Sequence, residues 1–184
     1  MEIIPSRSVA LEKLTNFVSE PYLLLHSKMV ALALEAYAHK FQEDQDLWYV
    51  TGLLHDLDYQ QYPDKHPAVS LTWFAEWGYD PRLIHAVAAH AMSQPRIEAD
   101  SLLAKTLIAV DELAGLLYAY SLMRPQGFKG MEAKSAFKKF KDKAFAAKVD
   151  REEIKYGVTM MGIDLKEHIS FLINVYQTSD LLGQ

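Results

Sequence analysis

The chain contains no cysteine. Disulfide bonds and thiolate metal sites are therefore excluded, and any metal ion must be held by nitrogen and oxygen ligands. No apolar run approaches the length needed to span a bilayer. The opening residues Met1-Glu2-Ile3-Ile4-Pro5 lack the basic start and apolar core of a signal peptide. A cytoplasmic location away from membranes is the expectation. Positive charge is not in excess: 19 Lys and Arg stand against 24 Asp and Glu, giving a net charge of −5. That balance argues against general nucleic-acid binding, which is driven by phosphate neutralisation. There is no internal repeat, no low-complexity tract and no convincing strand pattern.

What remains is 184 residues, half of them apolar and about a quarter charged. That is one domain with room for a real core. The pattern is helical throughout. Pro21 suits the first turn of a helix running to about His39, with Leu25, Met29, Leu32 and Ala36 at helical spacing. A second helix starts near Asp44 or Asp46 and runs through Asp56. His66 as cap and Pro67 as first residue open a third, which Gly78 stops. Asp80-Pro81 opens a fourth, ending before Gln94-Pro95. A fifth, from about Ser101 to Leu122, is apolar on most sides and should be central. After a loop at Gln126–Gly130, residues 131–149 hold six lysines against two acids. Asp150 and Glu153 have the form of a reciprocal helix-start box. A last helix around Leu165–Tyr176 carries Leu165, Ile169, Leu172 and Tyr176 on one stripe. The expectation is an all-α bundle, with a core at about 20–122 and a helical extension at about 123–184.

Within these apolar helices stand isolated polar residues: His26, the adjacent pair His55-Asp56, and Asp111, which lines up with Leu103, Leu107, Ala114 and Tyr118. A buried imidazole beside a buried carboxylate is expensive. A metal ion removes most of that cost by accepting the imidazole lone pair and pairing with the carboxylate charge. His26, His55, Asp56 and Asp111 form a complete donor set for a divalent ion.

The order His26, His55-Asp56, Asp111 resembles the HD superfamily of metal-dependent phosphohydrolases. Arg124-Pro125 and Lys138-Lys139-Phe140-Lys141-Asp142-Lys143-Ala144-Phe145-Ala146 resemble a small bacterial subgroup of uncharacterised HD proteins. The resemblance implies a compact helical HD-domain bundle that binds one or two divalent ions (Mn, Fe, Co, Ni, Mg or Zn). It also implies that metal-activated water attacks phosphorus in a small phosphorylated metabolite or nucleotide. Asp56 would be catalytic as well as a ligand. Asp58 would either orient a histidine or protonate a leaving oxygen. Binuclear HD enzymes carry further histidines at about the places of His66 and His90. Those two are open to three readings: ligands of a second metal, holders of a phosphate, or a helix cap and a last-turn residue. His85 is a second-choice ligand, and His39 and His168 read as surface residues. Glu112 is expected to face water. Arg124 is the candidate for gripping substrate, and the lysines read more simply as a solvated face with Phe137, Phe140, Ala144 and Phe145 turned inward. Tyr and Trp at 48, 49, 73 and 77 read as core. The pattern of guanosine polyphosphate hydrolases is absent, because His55-Asp56 is followed by Leu57-Asp58-Tyr59-Gln60. Gly78-Tyr79-Asp80 is not the motif of cyclic di-nucleotide phosphodiesterases. Two alternatives stand beside the hydrolase: an HD-type di-iron oxygenase, and a nucleotide-binding sensor without turnover.

Overall fold

Capping and packing explain why the helices begin and end where they do. The computed structural model describes residues 3–91 and 97–179. Helices make up 69 % of the described residues, and no strand occurs among them. The fold is all-α. No helix among these residues is long and apolar enough to cross a membrane.

The chain divides into two compact units, residues 1–107 and 108–184. In the first, α1 (Arg7–Phe17) is capped by Ser6, and α2 (Pro21–Phe41) has proline in its first turn. The left-handed Gln42 (φ 60°) closes α2. Asp44 caps α3 (Gln45–Leu54), accepting from the N–H groups of Asp46 and Leu47. A single 3-10 turn, Pro63–Lys65, precedes α4 (Ala68–Glu76). Asp80 caps α5 (Pro81–His90), and Arg82 donates to its carboxylate. That hydrogen bond holds the Asp80 carboxyl below its ordinary range against the opposing effect of burial. Arg7 ties α1 to its neighbours through Glu35 on α2 and Asp46 on α3, each at 2.7 Å.

The expected second helix is shorter than its pattern. It stops at Leu54, and residues 55–61 form a chain of turns. His66 is not a helix cap: Pro67 holds the N-cap position of α4, and the His66 side chain is committed elsewhere. Gln94-Pro95, expected just beyond the fourth helix, lies outside the described residues. Trp48 is fully buried, and Trp73 and Trp77 pack with Phe17, Phe74 and Tyr79.

The dividing line falls inside α6 (Leu102–Leu122). The reason is local. At Ala109, α6 meets Gly157 of α8 (Arg151–Met161) and His168 of α9 (Leu165–Thr178). Helix α7 (Ala133–Lys141) buries Ala136 and Phe140, while Phe137 and Phe145 are half-buried and Ala144 is exposed. Lys138 and Lys141 are exposed, and Lys139 and Lys141 lie over the rings of Phe145 and Phe137. Arg151 organises the turns after α7, donating to the carbonyls of Phe140, Asp142, Phe145, Ala146 and Val149. Asp150 caps α8 as expected, but its own N–H donates to Glu112 Oε2 at 3.1 Å. Glu112 is therefore half-buried and engaged, not a water-facing residue.

Helices α2 and α3 approach so closely that only glycine fits at position 52. A Cβ there would stand 2.7 Å from Ala31 Cα and 2.8 Å from its nitrogen. Backbone cannot swing aside as a side chain can. Gly52→Ala is therefore expected to destabilise the fold by at least about 1–3 kcal/mol, the usual cost of overpacking. Urea denaturation with unchanged m-value measures this; a shift under about 0.5 kcal/mol would mean that the helices separate freely.

Candidate metal centre

Four helix ends and turns of the first unit bring histidines around one carboxylate. His26 lies on the second turn of α2. His55 and Asp56 follow the last residue of α3. His66 precedes α4, and His90 ends α5. Asp56 Oδ2 lies 3.4 Å from His55 Nε2 and 3.9 Å from His26 Nε2. Asp56 Oδ1 lies 3.3 Å from His66 Nε2 and 3.6 Å from His90 Nε2. The two nitrogens on the Oδ1 side are 3.2 Å apart. The carboxylate thus sits among four imidazole Nε2 atoms.

The far nitrogen of three rings is anchored. His55 Nδ1 lies 2.7 Å from the Gly52 carbonyl, and His90 Nδ1 lies 2.6 Å from that of Val87. Both bonds span three residues, and both use carbonyls of a last helical turn, which have no partner inside the helix. His66 Nδ1 lies 2.6 Å from Asp58 Oδ1. Carbonyls and carboxylates only accept, so each Nδ1 carries the proton and donates. Each Nε2 then offers its lone pair to the centre. Such a convergence of acceptors is repulsive unless positive charge, a proton or a metal ion, lies among them. A donor set of imidazole nitrogen and carboxylate oxygen fits a divalent transition ion. His55, Asp56 and His90 each place a donor atom within 4.8 Å of the others.

Burial alone would raise the Asp56 pKa. Positive charge on the imidazoles of His55, His90 and His26 outweighs that effect and holds the carboxyl well below its ordinary range. Asp58 is fully buried. Its Oδ1 takes the His66 proton and its Oδ2 accepts the Ser70 N–H at 2.9 Å. Both oxygens are thereby engaged in holding the His66 ring and the start of α4. Of the two expected roles, this geometry is that of an orienting partner. Two exposed tyrosines border the cluster: Tyr22 stacks on His26, and Tyr59 meets His66 edge-on.

His85 and His168 are engaged outside the cluster. His85 Nε2 lies 3.0 Å from the Glu98 carbonyl and is used there. His39 is exposed as expected, but His168 is 1 % exposed, and its Nε2 lies 2.9 Å from the Ala109 carbonyl. The surface reading of His168 is corrected, because its helical neighbours Ile169 and Leu172 draw that face inward. Asp111 belongs to the second unit, half-buried on α6. Arg124, also there, donates Nη2 to the Lys129 carbonyl at 3.0 Å and so braces its own loop. The carbonyls of Gly52 and Val87 and the Ser70 N–H have no sequence signal, since main-chain groups leave no mark in residue type. The available signal was the position of His55 and His90 at helix ends.

An all-α unit whose helix ends deliver histidines and an adjacent His-Asp pair to one point defines a histidine–aspartate metal-type centre. The family model described as HD domain matches residues 23–116, and the chain belongs to that family. Its members are generally metal-dependent phosphohydrolases. No curated protein and no solved structure matches the chain significantly.

Removing the Asp58 carboxylate strands two buried donors, the His66 Nδ1–H and the Ser70 N–H. Each costs about 1–3 kcal/mol when unsatisfied. Asp58→Ala is expected to lower stability by about 2–4 kcal/mol in urea denaturation and to weaken divalent-metal affinity by about 10–100-fold. Unchanged metal affinity in a folded Asp58→Ala protein would remove Asp58 from the orienting role.

Proposed function

We propose that the protein is a metal-dependent phosphohydrolase acting on a small phosphorylated metabolite or nucleotide. The observation that carries this reading is the Asp56 carboxylate set among four imidazole Nε2 atoms in a chain of the HD domain family. His26, His55, Asp56 and Asp111 would hold one ion. His66 and His90, on the other oxygen of Asp56, would hold a second with it. When bound, divalent ions make water nucleophilic at neutral pH and neutralise charge on phosphoryl oxygens.

The protein's own groups supply orientation. Gly52, Val87 and Asp58 fix the three rings they anchor, so the donor atoms need little reorganisation to take up a cation. Beside His66 opens a groove of about 580 Å³ that includes Lys65 and Trp73. Its size suits the remainder of a small substrate. Arg124 is the further cation we assign to phosphate. Its guanidinium has five N–H donors, of which the Lys129 carbonyl takes one.

Asp56→Ala should abolish phosphoester hydrolysis and reduce bound metal, while the helical circular dichroism persists, because apolar packing carries the stability. Purified Asp56→Ala that turns over at the wild-type rate in metal-supplemented buffer overturns the reading. A screen of phosphorylated metabolites, with Mn, Fe, Co, Ni, Mg and Zn supplied in turn, identifies substrate and ion.

Arg124→Ala should raise KM for the identified substrate by about tenfold, leaving metal content and kcat unchanged. Paired substitution of Lys138 and Lys139 by alanine should leave KM where it is. If KM for Arg124→Ala matches wild type, the guanidinium serves only its loop.

A further inference from the structure

Two contacts in the second unit meet on one residue of α6. Gly157 of α8 lies so close to Ala109 that a Cβ would stand 2.5 Å from the Ala109 nitrogen and 2.6 Å from its Cα. His168 of α9 reaches the Ala109 carbonyl with Nε2 at 2.9 Å. The carbonyl only accepts, so this nitrogen carries a proton and donates. Ala109 itself is fully buried.

Helix packing alone requires neither contact. A mid-helix carbonyl already takes part in the helical ladder. A leucine at 168 would fill similar space without taking an imidazole out of water. Asp111 stands two residues beyond Ala109, about 200° around the helix axis. The grip therefore falls on the back of the face that carries Asp111. A metal ligand must be held to about 0.5 Å, and a side chain about 6 Å from a helix axis moves about 2 Å when the helix turns by 20°. Around Ala109 that stretch of α6 is smooth, with Ala109, Val110, Leu113 and Ala114 all buried. A glycine seat and a directional hydrogen bond remove its freedom to slide or rotate.

We infer that Gly157 and His168 are positioning residues for Asp111, setting the height and rotation of the α6 segment that presents its carboxylate. The inference rests on the reading of Asp111 as a metal ligand.

The test is Mn²⁺ titration of the full chain by calorimetry, with thermal melts run alongside. His168→Leu should weaken Mn²⁺ binding about tenfold or more while melting remains cooperative. His168→Gln, whose amide N–H reaches towards the same carbonyl, should recover most of the affinity. In an Asp111→Asn background, His168→Leu should cause no further loss, because the group it positions is already gone. A purely structural role predicts additive losses. Should His168→Leu fail to fold, His168→Asn, too short to reach the carbonyl, takes its place with the same expected loss. Gly157→Ala should weaken binding independently, since backbone must yield. Wild-type affinity in a folded His168→Leu or His168→Asn protein overturns the inference, as does a loss that adds in full to that of Asp111→Asn. If Asp111→Asn alone leaves Mn²⁺ binding unchanged, the ligand assignment fails and the inference falls with it. That outcome is distinct from a failure confined to His168.

Discussion

The centre depends on placing one carboxylate among imidazole lone pairs in a site largely withdrawn from water. Asp56 keeps about 15 % of its side chain exposed, and His55 keeps none. Without positive charge the arrangement is repulsive, and with it the arrangement becomes strongly attractive, because low dielectric magnifies both signs. The site is thus poor at being empty and good at holding a cation. That asymmetry follows from tautomers: once Nδ1 is committed as a donor, the ring has only an acceptor left to present.

The commitment comes from helix ends. The last carbonyls of α3 and α5 lack partners within their helices. His55 and His90 satisfy one each, three residues back, and are fixed by doing so. One interaction therefore completes a helix terminus and sets the Nε2 that faces Asp56. His66 has no helix end to use, and Asp58 takes that place. Helix α3 stops at Leu54, although its apolar pattern continues to Leu57, and that stop leaves the Gly52 carbonyl for His55. Gly52 serves the same constraint twice: its carbonyl anchors His55, and its missing side chain lets α3 settle against α2, the helix that carries His26.

Much of this was legible in the sequence. Long apolar-periodic segments marked α2, α6 and α9. Asp44, Asp80 and Asp150 marked their helix starts because side-chain capping is a local matter of a few atoms. His55-Asp56 stood out because polar pairs in apolar runs need a partner. What was hidden is tertiary or main-chain. His66 reads as a helix cap because a cap and an anchored imidazole occupy the same place before a helix start. Glu112 looked solvated, since nothing in residue type announces that the Asp150 N–H lies beside it. His168 looked like a surface residue because its acceptor is a carbonyl 59 residues away in sequence. Asp58 is open to two roles in the sequence, and the engagement of both its oxygens, a tertiary fact, favours the orienting one.

Charge supplies the last step. Residues 1–107 hold fourteen Asp and Glu against eight Lys and Arg. A unit of that balance, with a site built from acceptors, attracts divalent cations and repels phosphates at long range. A phosphorylated substrate, as proposed, would therefore need the local charge reversed before it could be held, and the nitrogen and oxygen donors around Asp56 are suited to that reversal. The basic side chains are concentrated instead at residues 129–148, where seven lysines meet two acids. Most of those lysines are exposed, with two of them lying over aromatic rings, and screening by salt weakens what such charges can do at a distance. Arg151 has turned its guanidinium to five carbonyls of its own turn. On the proposed reading, the charge that would hold a phosphate is therefore chiefly that of bound metal ions, with Arg124 as a supplement. It also follows that affinity for substrate should track metal occupancy more closely than it tracks the loss of any one lysine.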